Sequence, residues 1–539
     1  MISTPKIVNQ AANPLCSGKA VTVQKAAVAS AFPEATHAAM EILAAGGNAI
    51  DAAVAAAWAL SVCEPAGSGL GGQTSLLLQL SQGEIVYLDG HSQAPAGVSL
   101  KSVRRRQQQF GFRSCTIPST PVTLAKAQAR YGTLSLDTVL QPAIRLAHDG
   151  FKITELQRRQ VGWGLNNLKL ECGKTRLLSR RRWLKAPSGI FKQPRLAKTL
   201  ERIVLHGCKD FYQGELAEQI ALDMKAHGGL ITKTDLNSFN LPVQRRPISI
   251  QYRGFEVLTT PPPGGGLQLL LALKLLDRLL DRSQKISDAE WYESVALAVY
   301  AAFVEREKFP IHPDDFTYSI REWALSDNRS DELALQLKLQ QSVKAMEKGD
   351  EEVGETTHLC VADEQGNVAA LTQSIQSLFG ALVVNRPLGF LYNNYLSTCP
   401  RYRHPYQLAS KCLPRSNAAP TFLLKDGQVV LALGAAGSRR IISSILQIIS
   451  QIVDHGKSVA EAITAPRVHA PLNGKVWIEK PAATAANIQN LKSHFNKVVI
   501  RSKHSFAMAG AQALAIGQDA DQIKTAAADP RRDGMAGGF

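Results

Sequence analysis

Gly354-Glu355-Thr356-Thr357-His358-Leu359-Cys360-Val361-Ala362 joins a charged, loop-like segment directly to what reads as a buried β-hairpin. A hydroxyl amino acid at such a junction could become a new N-terminus. From Leu359 onward apolar residues fall at strand spacing, through Leu359, Val361, Val368, Leu371 and Ile375. Asp363-Glu364-Gln365-Gly366-Asn367 interrupts them with the turn chemistry expected between two short strands. Upstream, residues 331–348 alternate Leu, Val and Met with Lys, Gln and Glu at helical spacing. They give way to an acidic, glycine-bearing run, 349–355, whose composition predicts a mobile loop. Taken alone, these residues describe a loop entering a strand, with paired threonines that suit a β edge.

A chain of 539 residues can bury a large core and exceeds the usual size of one domain. Its hydrophobic content of 45%, charged content of 20% and mean hydropathy of −0.08 are those of an ordinary globular protein, and no apolar run approaches a membrane span. Residues 1–24 contain no apolar core of signal-peptide length, which predicts a cytoplasmic protein. Eight cysteines, at 16, 63, 115, 172, 208, 360, 399 and 412, show no CxxC pair and no metal-ligand spacing, so reduced, mostly buried thiols and no metal site are expected.

The formal net charge is +16, concentrated at Arg104-Arg105-Arg106, at Arg180-Arg181-Arg182, and at Arg401, Arg403, Lys411 and Arg415. Such a field attracts anions. Aromatic residues are not interleaved with it as a base-stacking platform requires, so nucleic acid is not an expected partner and the charge reads as solvated surface.

Residues 33–45 and 52–62 read as two helices. The first is opened by Pro33 and closed by Gly46-Gly47; the second is served by Asn48 or Asp51 and is apolar on most sides. Gly67-Ser68-Gly69-Leu70-Gly71-Gly72 satisfies a GxGxxG pattern, but a helix precedes it and a strand, 74–80, follows. A dinucleotide site needs the reverse order. Further helices are expected over 123–130, 136–148, 216–227, 267–280 and 441–453, and strands over 389–394, 421–424 and 429–433. The basic segment 151–190 reads as irregular. No internal repeat is present, and strands lying between helical layers predict an α/β or α+β protein.

Several segments, taken together, resemble the gamma-glutamyltranspeptidase family of N-terminal-nucleophile hydrolases. The shared words are Gly46-Gly47-Asn48-Ala49-Ile50-Asp51-Ala52-Ala53, Glu64-Pro65 with the glycine run 67–72, Ala94-Pro95 after Leu88-Asp89-Gly90, and Pro142-Ala143-Ile144 with Gly150-Phe151. Asp210-Phe211-Tyr212-Gln213-Gly214, Gly228-Gly229 with Asp235-Leu236, and the proline-glycine loop 261–266 follow. The second part adds Thr356-Thr357-His358, Gly366-Asn367, Leu371-Thr372-Gln373-Ser374, Asn393-Asn394 and Ala528-Asp529-Pro530-Arg531-Arg532-Asp533-Gly534.

The resemblance covers nearly the whole chain and implies an α+β fold of four layers, αββα. It implies self-cleavage between Glu355 and Thr356 into a large part, 1–355, and a small part, 356–539, that stay together as a heterodimer in one folded unit. Thr356 would then be both nucleophile and base, since its freed α-amino group has a pKa of about 7.7 to 8.0 and lies beside a hydroxyl that is a poor nucleophile by itself. The chemistry is acyl transfer from a small-molecule amide or gamma-glutamyl substrate to water or an amine, and it asks for no cofactor.

In the same resemblance the backbone amides of Gly437 and Ser438 correspond to a glycine pair that holds the oxyanion, with Ser438 replacing the second glycine. Ser374 takes the place of a threonine whose hydroxyl touches the nucleophile. Thr357 and His358 shape the start of the strand.

The substrate pocket departs from the family pattern. His91 stands where an arginine binds the substrate carboxylate, and an imidazole lacks the guanidinium fork. Thr398 stands near the position of an acidic residue, Tyr395 at that of a glutamine, Gln376 at that of an asparagine, and Ser416-Asn417 at that of paired serines. These substitutions point to an acyl group larger or less charged than glutamyl. Glutathione hydrolysis through a rearranged pocket, and an unprocessed, non-catalytic scaffold, remain as alternatives.

Overall fold

The computed structural model describes residues 19–168, 189–240, 242–281, 283, 285–339, 342–346, 354–518 and 523–539. Cys16, Cys172, Arg180-Arg181-Arg182 and residues 349–353 of the acidic run therefore lie outside the described residues. Two seven-stranded sheets form the centre. One runs, edge to edge, Met535–Gly538, Ala27–Ser30, Gly354–Ala362, Val368–Ser377, Gln73–Gln79, Ile85–Gly90 and Val243–Arg245. The other runs Lys19–Val23, Lys524–Ala528, Gly510–Ile516, Gln428–Ala436, Thr421–Lys425, Phe255–Thr259 and Ile248–Tyr252. All their pairings are antiparallel.

Side-chain alternation along each strand builds the layers. Leu359, Val361, Ala369 and Leu371 enter a core shared with the helices Pro33–Ala44, Ala49–Cys63, Thr120–Tyr131 and Leu136–Asp149. Their neighbours Cys360, Ala362, Val368 and Ala370 instead meet Phe422, Leu424, Ala432, Leu514 and Ala526 of the other sheet. The far face of that second sheet, through Leu423, Leu431, Leu433, Ala511 and Ala513, packs on the helices Gly266–Leu279, Asp288–Lys308 and Arg440–Val453. Helix, sheet, sheet and helix are thus stacked around three apolar layers, the expected αββα sandwich.

The core between the sheets is rich in alanine, and one close contact shows how near the sheets come. A Cβ on Gly434 would stand 2.3 Å from the His358 imidazole. His358 bridges locally, with Nδ1 2.9 Å from Thr372 Oγ1 and Nε2 3.3 Å from Cys360 Sγ, and burial lowers its pKa to about 3. A neutral imidazole filling the space between the sheets matches the structural role expected for it.

The helix Ala49–Cys63 is buried along its whole length and begins with a capping box. Asn48 accepts from the amides of Ile50 and Asp51, and Asp51 returns a bond to the Asn48 amide. The glycine run that follows serves close approach. A Cβ on Gly71 would stand 2.0 Å from the Leu391 carbonyl oxygen, and one on Gly72 2.4 Å from that of Ser374.

Three expectations change. Residues 389–394 form only isolated bridges, at Leu391 and Tyr392, because Phe390, Leu391 and Tyr392 turn into the helix-side core rather than a sheet. The helix expected over 331–348 spans Asp327–Leu339, and the segment read as irregular contains the helix Glu155–Leu168. Among the described residues no helix is long and apolar enough to cross a membrane.

Candidate active site

Thr356 lies near the start of the central strand Gly354–Ala362, where the ladder is irregular. Glu355 pairs with Gln376 but Thr357 pairs with Gln373, so Thr356 alone faces two residues, Ser374 and Ile375. This is a β-bulge, a device that re-aims a side chain. Gln376 closes it with φ of 82°, a left-handed value that costs a non-glycine residue about 1 kcal/mol or more.

The bulge brings three groups to one hydroxyl. Thr356 Oγ1 donates to Ser374 Oγ at 3.3 Å, the Gln376 amide donates to the same oxygen at 2.9 Å, and Ser374 Oγ donates to the Glu355 carbonyl at 2.9 Å. A serine hydroxyl has one proton to give and two lone pairs to receive, so Ser374 is fully used. Its proton rests on the carbonyl of the peptide bond that Thr356 would attack.

The turn after Gln428–Ala436 reaches the same place. Gly437 has φ of 133° and Ser438 φ of 58°, and the helix Arg440–Val453 begins at once. A Cβ on Gly354 would stand 2.8 Å from Ser438 Cβ, so this turn is packed against the strand two residues before Thr356.

Behind the junction, Glu355 and Glu64 are both buried. Burial, more than any neighbour, pushes both carboxyls up, Glu64 to about 8, and the Glu355 charge adds to the rise at Glu64. Arg532 Nε lies 3.3 Å from Glu355 Oε1, at ion-pair distance but without hydrogen-bond alignment. Arg532 Nη1 donates to the Phe506 carbonyl at 3.1 Å, and the C-terminal segment that carries it is pinned by its neighbours. Asp529 receives Arg467 Nη2 at 2.6 Å and the Ala511 amide at 2.8 Å, while Arg531 pairs with Asp529 and Glu479.

Tyr395 is buried, with its hydroxyl in reach of the Ser374, Gln73 and Ser416 side chains; burial pushes that hydroxyl well up. Gln73 is the cross-strand partner of Ser374 and accepts from the Ser92 amide and hydroxyl, each at 2.9 Å, which ties the His91 segment to the site. His91 Nδ1 meets Asp89 Oδ1 at 2.5 Å, and Asp89 Oδ2 accepts from Arg245 Nε at 2.6 Å. Burial opposes the Asp89 charge, but His91 and Arg245 together hold its pKa below the usual carboxylate range. His91 Nε2 is left buried with no hydrogen-bond partner among the described residues.

Ser416 donates its amide to the Pro263 carbonyl at 3.0 Å, so the 261–266 loop braces it. Arg306 donates to the Ser416 carbonyl at 2.9 Å and to Asn417 Oδ1 at 2.5 Å. Arg415 and Arg439 both approach Glu307 Oε1, at 2.8 and 3.8 Å. Burial and the neighbouring Arg415 lower the Arg306 pKa to about 10. These arginines are largely withdrawn from solvent, whereas Arg104-Arg105-Arg106 are exposed as expected. Thr398 is turned away: its hydroxyl donates to the Tyr395 carbonyl at 2.9 Å.

The structure therefore gathers Glu355, Thr356, Ser374, Gln376, Tyr395, Ser416 and the Gly437-Ser438 turn, links His91 through Ser92 and Gln73, and anchors Asn417 on Arg306. Sequence reasoning missed Glu64, Gln73, Asp89, Arg245 and the Arg306, Arg415 and Arg439 cluster. Glu64 and Asp89 stand inside family motifs, and Arg415 stood out as part of a basic cluster expected at the solvated surface, whereas it is largely buried against Glu307.

A family model described as Gamma-glutamyltranspeptidase matches residues 35–539. The chain is 30% identical to a glutathione hydrolase proenzyme of Escherichia coli, with 96% of this chain and 93% of that protein covered. It is 32% identical to the acylase ACY 1 proenzyme of a Pseudomonas species (strain SE83), with 99% and 97% covered. The crystal structure of cephalosporin acylase from Bacillus halodurans superposes with a TM-score of 0.87 at 26% identity, covering 99% of each chain. With the match running through every layer of the sandwich and both sides of the Glu355-Thr356 junction, the chain belongs to the gamma-glutamyltranspeptidase family.

Proposed function

We propose that this chain cuts itself between Glu355 and Thr356 and then works as an N-terminal-threonine amide hydrolase or acyltransferase, with parts 1–355 and 356–539 held as a heterodimer. The observation that carries the reading is the Ser374 hydroxyl, shared between Thr356 Oγ1 and the Glu355 carbonyl. In self-cleavage Thr356 Oγ1 adds to the Glu355 carbonyl carbon while Ser374 donates to the oxygen that becomes negative. Collapse breaks the C–N bond as the nitrogen takes up the proton given up by Thr356 Oγ1, which leaves Glu355 as an ester on Thr356 and frees the α-amino group; water then releases Glu355. In turnover that amine takes the Thr356 proton as Oγ1 attacks the substrate amide, and the Gly437 and Ser438 amides serve the oxyanion. The C–N bond breaks, the leaving amine departs with the proton, and water or a second amine then releases the acyl group from Thr356.

For the acyl group we favour a chain ending in a carboxylate and lacking an ammonium. Thr398 carries no charge and spends its hydroxyl on the Tyr395 carbonyl, so no anion stands at that position to receive an ammonium, while Arg306, Arg415 and Arg439 gather around the one carboxylate of Glu307 and leave this side positively charged. The acylase and cephalosporin acylase relatives support looking beyond a glutamyl group. Gamma-glutamyl hydrolysis, with His91 and Arg415 sharing a carboxylate, is the second reading and rests on the glutathione hydrolase relative.

Intact-mass measurement of wild-type and Thr356→Ala protein tests the cleavage: two chains from the first and one from the second are expected, and a wild-type chain that stays uncut overturns the reading. Glutaryl and gamma-glutamyl 4-nitroanilides then compare the acyl groups at a constant leaving amine. Faster glutaryl release is expected. Faster gamma-glutamyl release overturns the acyl assignment and leaves the cleavage reading standing.

A further inference from the structure

Cys399 and Cys412 sit 13 positions apart with their Sγ atoms 3.8 Å from each other, and both are free thiols. They belong to a small apolar cluster, separate from the three main core layers, made of Ala94, Val98, Val103, Leu396 and Leu408. Ala94, Leu396, Cys399 and Cys412 adjoin three pieces of the pocket wall in sequence. Ala94 follows His91 and donates its amide to the Cys412 carbonyl at 2.9 Å. Leu396 lies between Tyr395 and Thr398, and Cys399 follows Thr398 directly. Cys412 precedes Arg415 and Ser416. Gln108 reinforces the joint by donating to the carbonyls of Leu396 and Cys399, at 2.7 and 2.5 Å.

We propose that Cys399 and Cys412 form a reversible disulfide that locks this wall by closing the ring across segment 400–411. The sulfurs already touch, and a bond of about 2.05 Å brings them together within an existing contact. Cys412 is the accessible partner, part-exposed where Cys399 is buried. The contact with Cys399 also lowers the Cys412 pKa while raising that of Cys399, so Cys412 is the more acidic thiol of the two.

With hydrogen peroxide as the two-electron oxidant, the Cys412 thiolate attacks one oxygen, the O–O bond breaks, and a sulfenic acid and hydroxide result; the hydroxide takes up the proton that Cys412 had released. Cys399 Sγ then attacks Cys412 Sγ, the S–S bond forms, the S–O bond breaks, and the departing hydroxide leaves with the Cys399 proton as water. Two thiols are oxidised and one peroxide is reduced to two waters. A dithiol reductant reverses the reaction by exchange.

The consequence for substrate handling rests on the acyl-transfer reading; the crosslink itself does not. The test treats the full chain with a small excess of hydrogen peroxide, or with dithiothreitol, and maps peptides by mass spectrometry without reduction. A Cys399–Cys412 linked peptide, lost after dithiothreitol and absent from Cys412→Ser, is expected. In the oxidised protein, tryptic nicking at Arg401, Arg403 and Lys411 slows several-fold. KM for the anilide that is turned over moves several-fold while kcat holds, because the braced wall binds substrate and does not carry the nucleophile. Cys412→Ser abolishes both peroxide effects. Peroxide uptake at these or other cysteines without the linked peptide overturns the disulfide. A linked peptide with unchanged nicking overturns the lock whether or not the enzyme turns over, and unchanged KM in an active enzyme overturns the effect on the pocket.

Discussion

Ser374 uses one hydroxyl for three bonds, and the bond to the Glu355 carbonyl has the geometry of an oxyanion donor waiting for charge. Removing a donor of that kind costs about 10²–10³-fold in rate. Ser374→Ala should therefore slow appearance of the two-chain form by about that factor, followed by gel time course from freshly made precursor. Ser374→Thr, which keeps the hydroxyl, should recover most of the rate. Equal rates for the alanine and wild-type proteins would remove Ser374 from the chemistry. At this scale the sequence announced the hydroxyls and the junction through family words. It could not announce Asp89 holding His91, or Glu64 beside Glu355, because each pairing depends on which burial partner the folded chain supplies. Nor could spacing reveal Cys399 against Cys412, since they meet through an irregular loop with no period of its own.

The central hairpin was legible as an element because its alternation separates two environments, Leu359 and Val361 on the helical side and Cys360 and Ala362 between the sheets. The bulge at Thr356 was not, since it inserts one residue without changing composition. The apolar run 389–394 misled for a related reason: burial in a helix-side core asks for the same residues as burial in a strand. The gap between the sheets offers a direct test at this scale. Gly434 lies on the strand Gln428–Ala436 against the His358 ring, with no room for a methyl group. Gly434→Ala should destabilise the protein by about 1–3 kcal/mol, the usual cost of overpacking, measured by denaturant unfolding. Gly427→Ala is no control, because its φ of 77° adds strain of its own. Pairing Gly434→Ala with His358→Ala is the cleaner comparison, since the double variant should recover part of the loss that Gly434→Ala causes alone. A single Gly434→Ala variant as stable as wild type would mean that the sheets are further apart than described.

In the whole molecule, the two sides of the Glu355-Thr356 junction are woven through both sheets. Ala27–Ser30, from the first part, lies between Met535–Gly538 and Gly354–Ala362, whose residues from Thr356 onward belong to the second. Lys19–Val23 closes one edge of the other sheet on Lys524–Ala528, and Phe255–Thr259 continues it from Thr421–Lys425. Pulling the parts away from each other would break main-chain ladders in both sheets and open all three apolar layers, so cleavage alone gives them no route to separate. The cut protein should therefore elute from a sizing column as one species containing both chains, and should resolve into two only in denaturant. Residues 1–355 and 356–539 made as separate chains should each lack the cooperative unfolding transition of the whole, because each would expose unpaired strand edges and lack part of every core. Co-elution of both chains at the mass of the intact protein supports the woven arrangement. Free small chain appearing under native conditions, or a cooperative transition from either part alone, would overturn it.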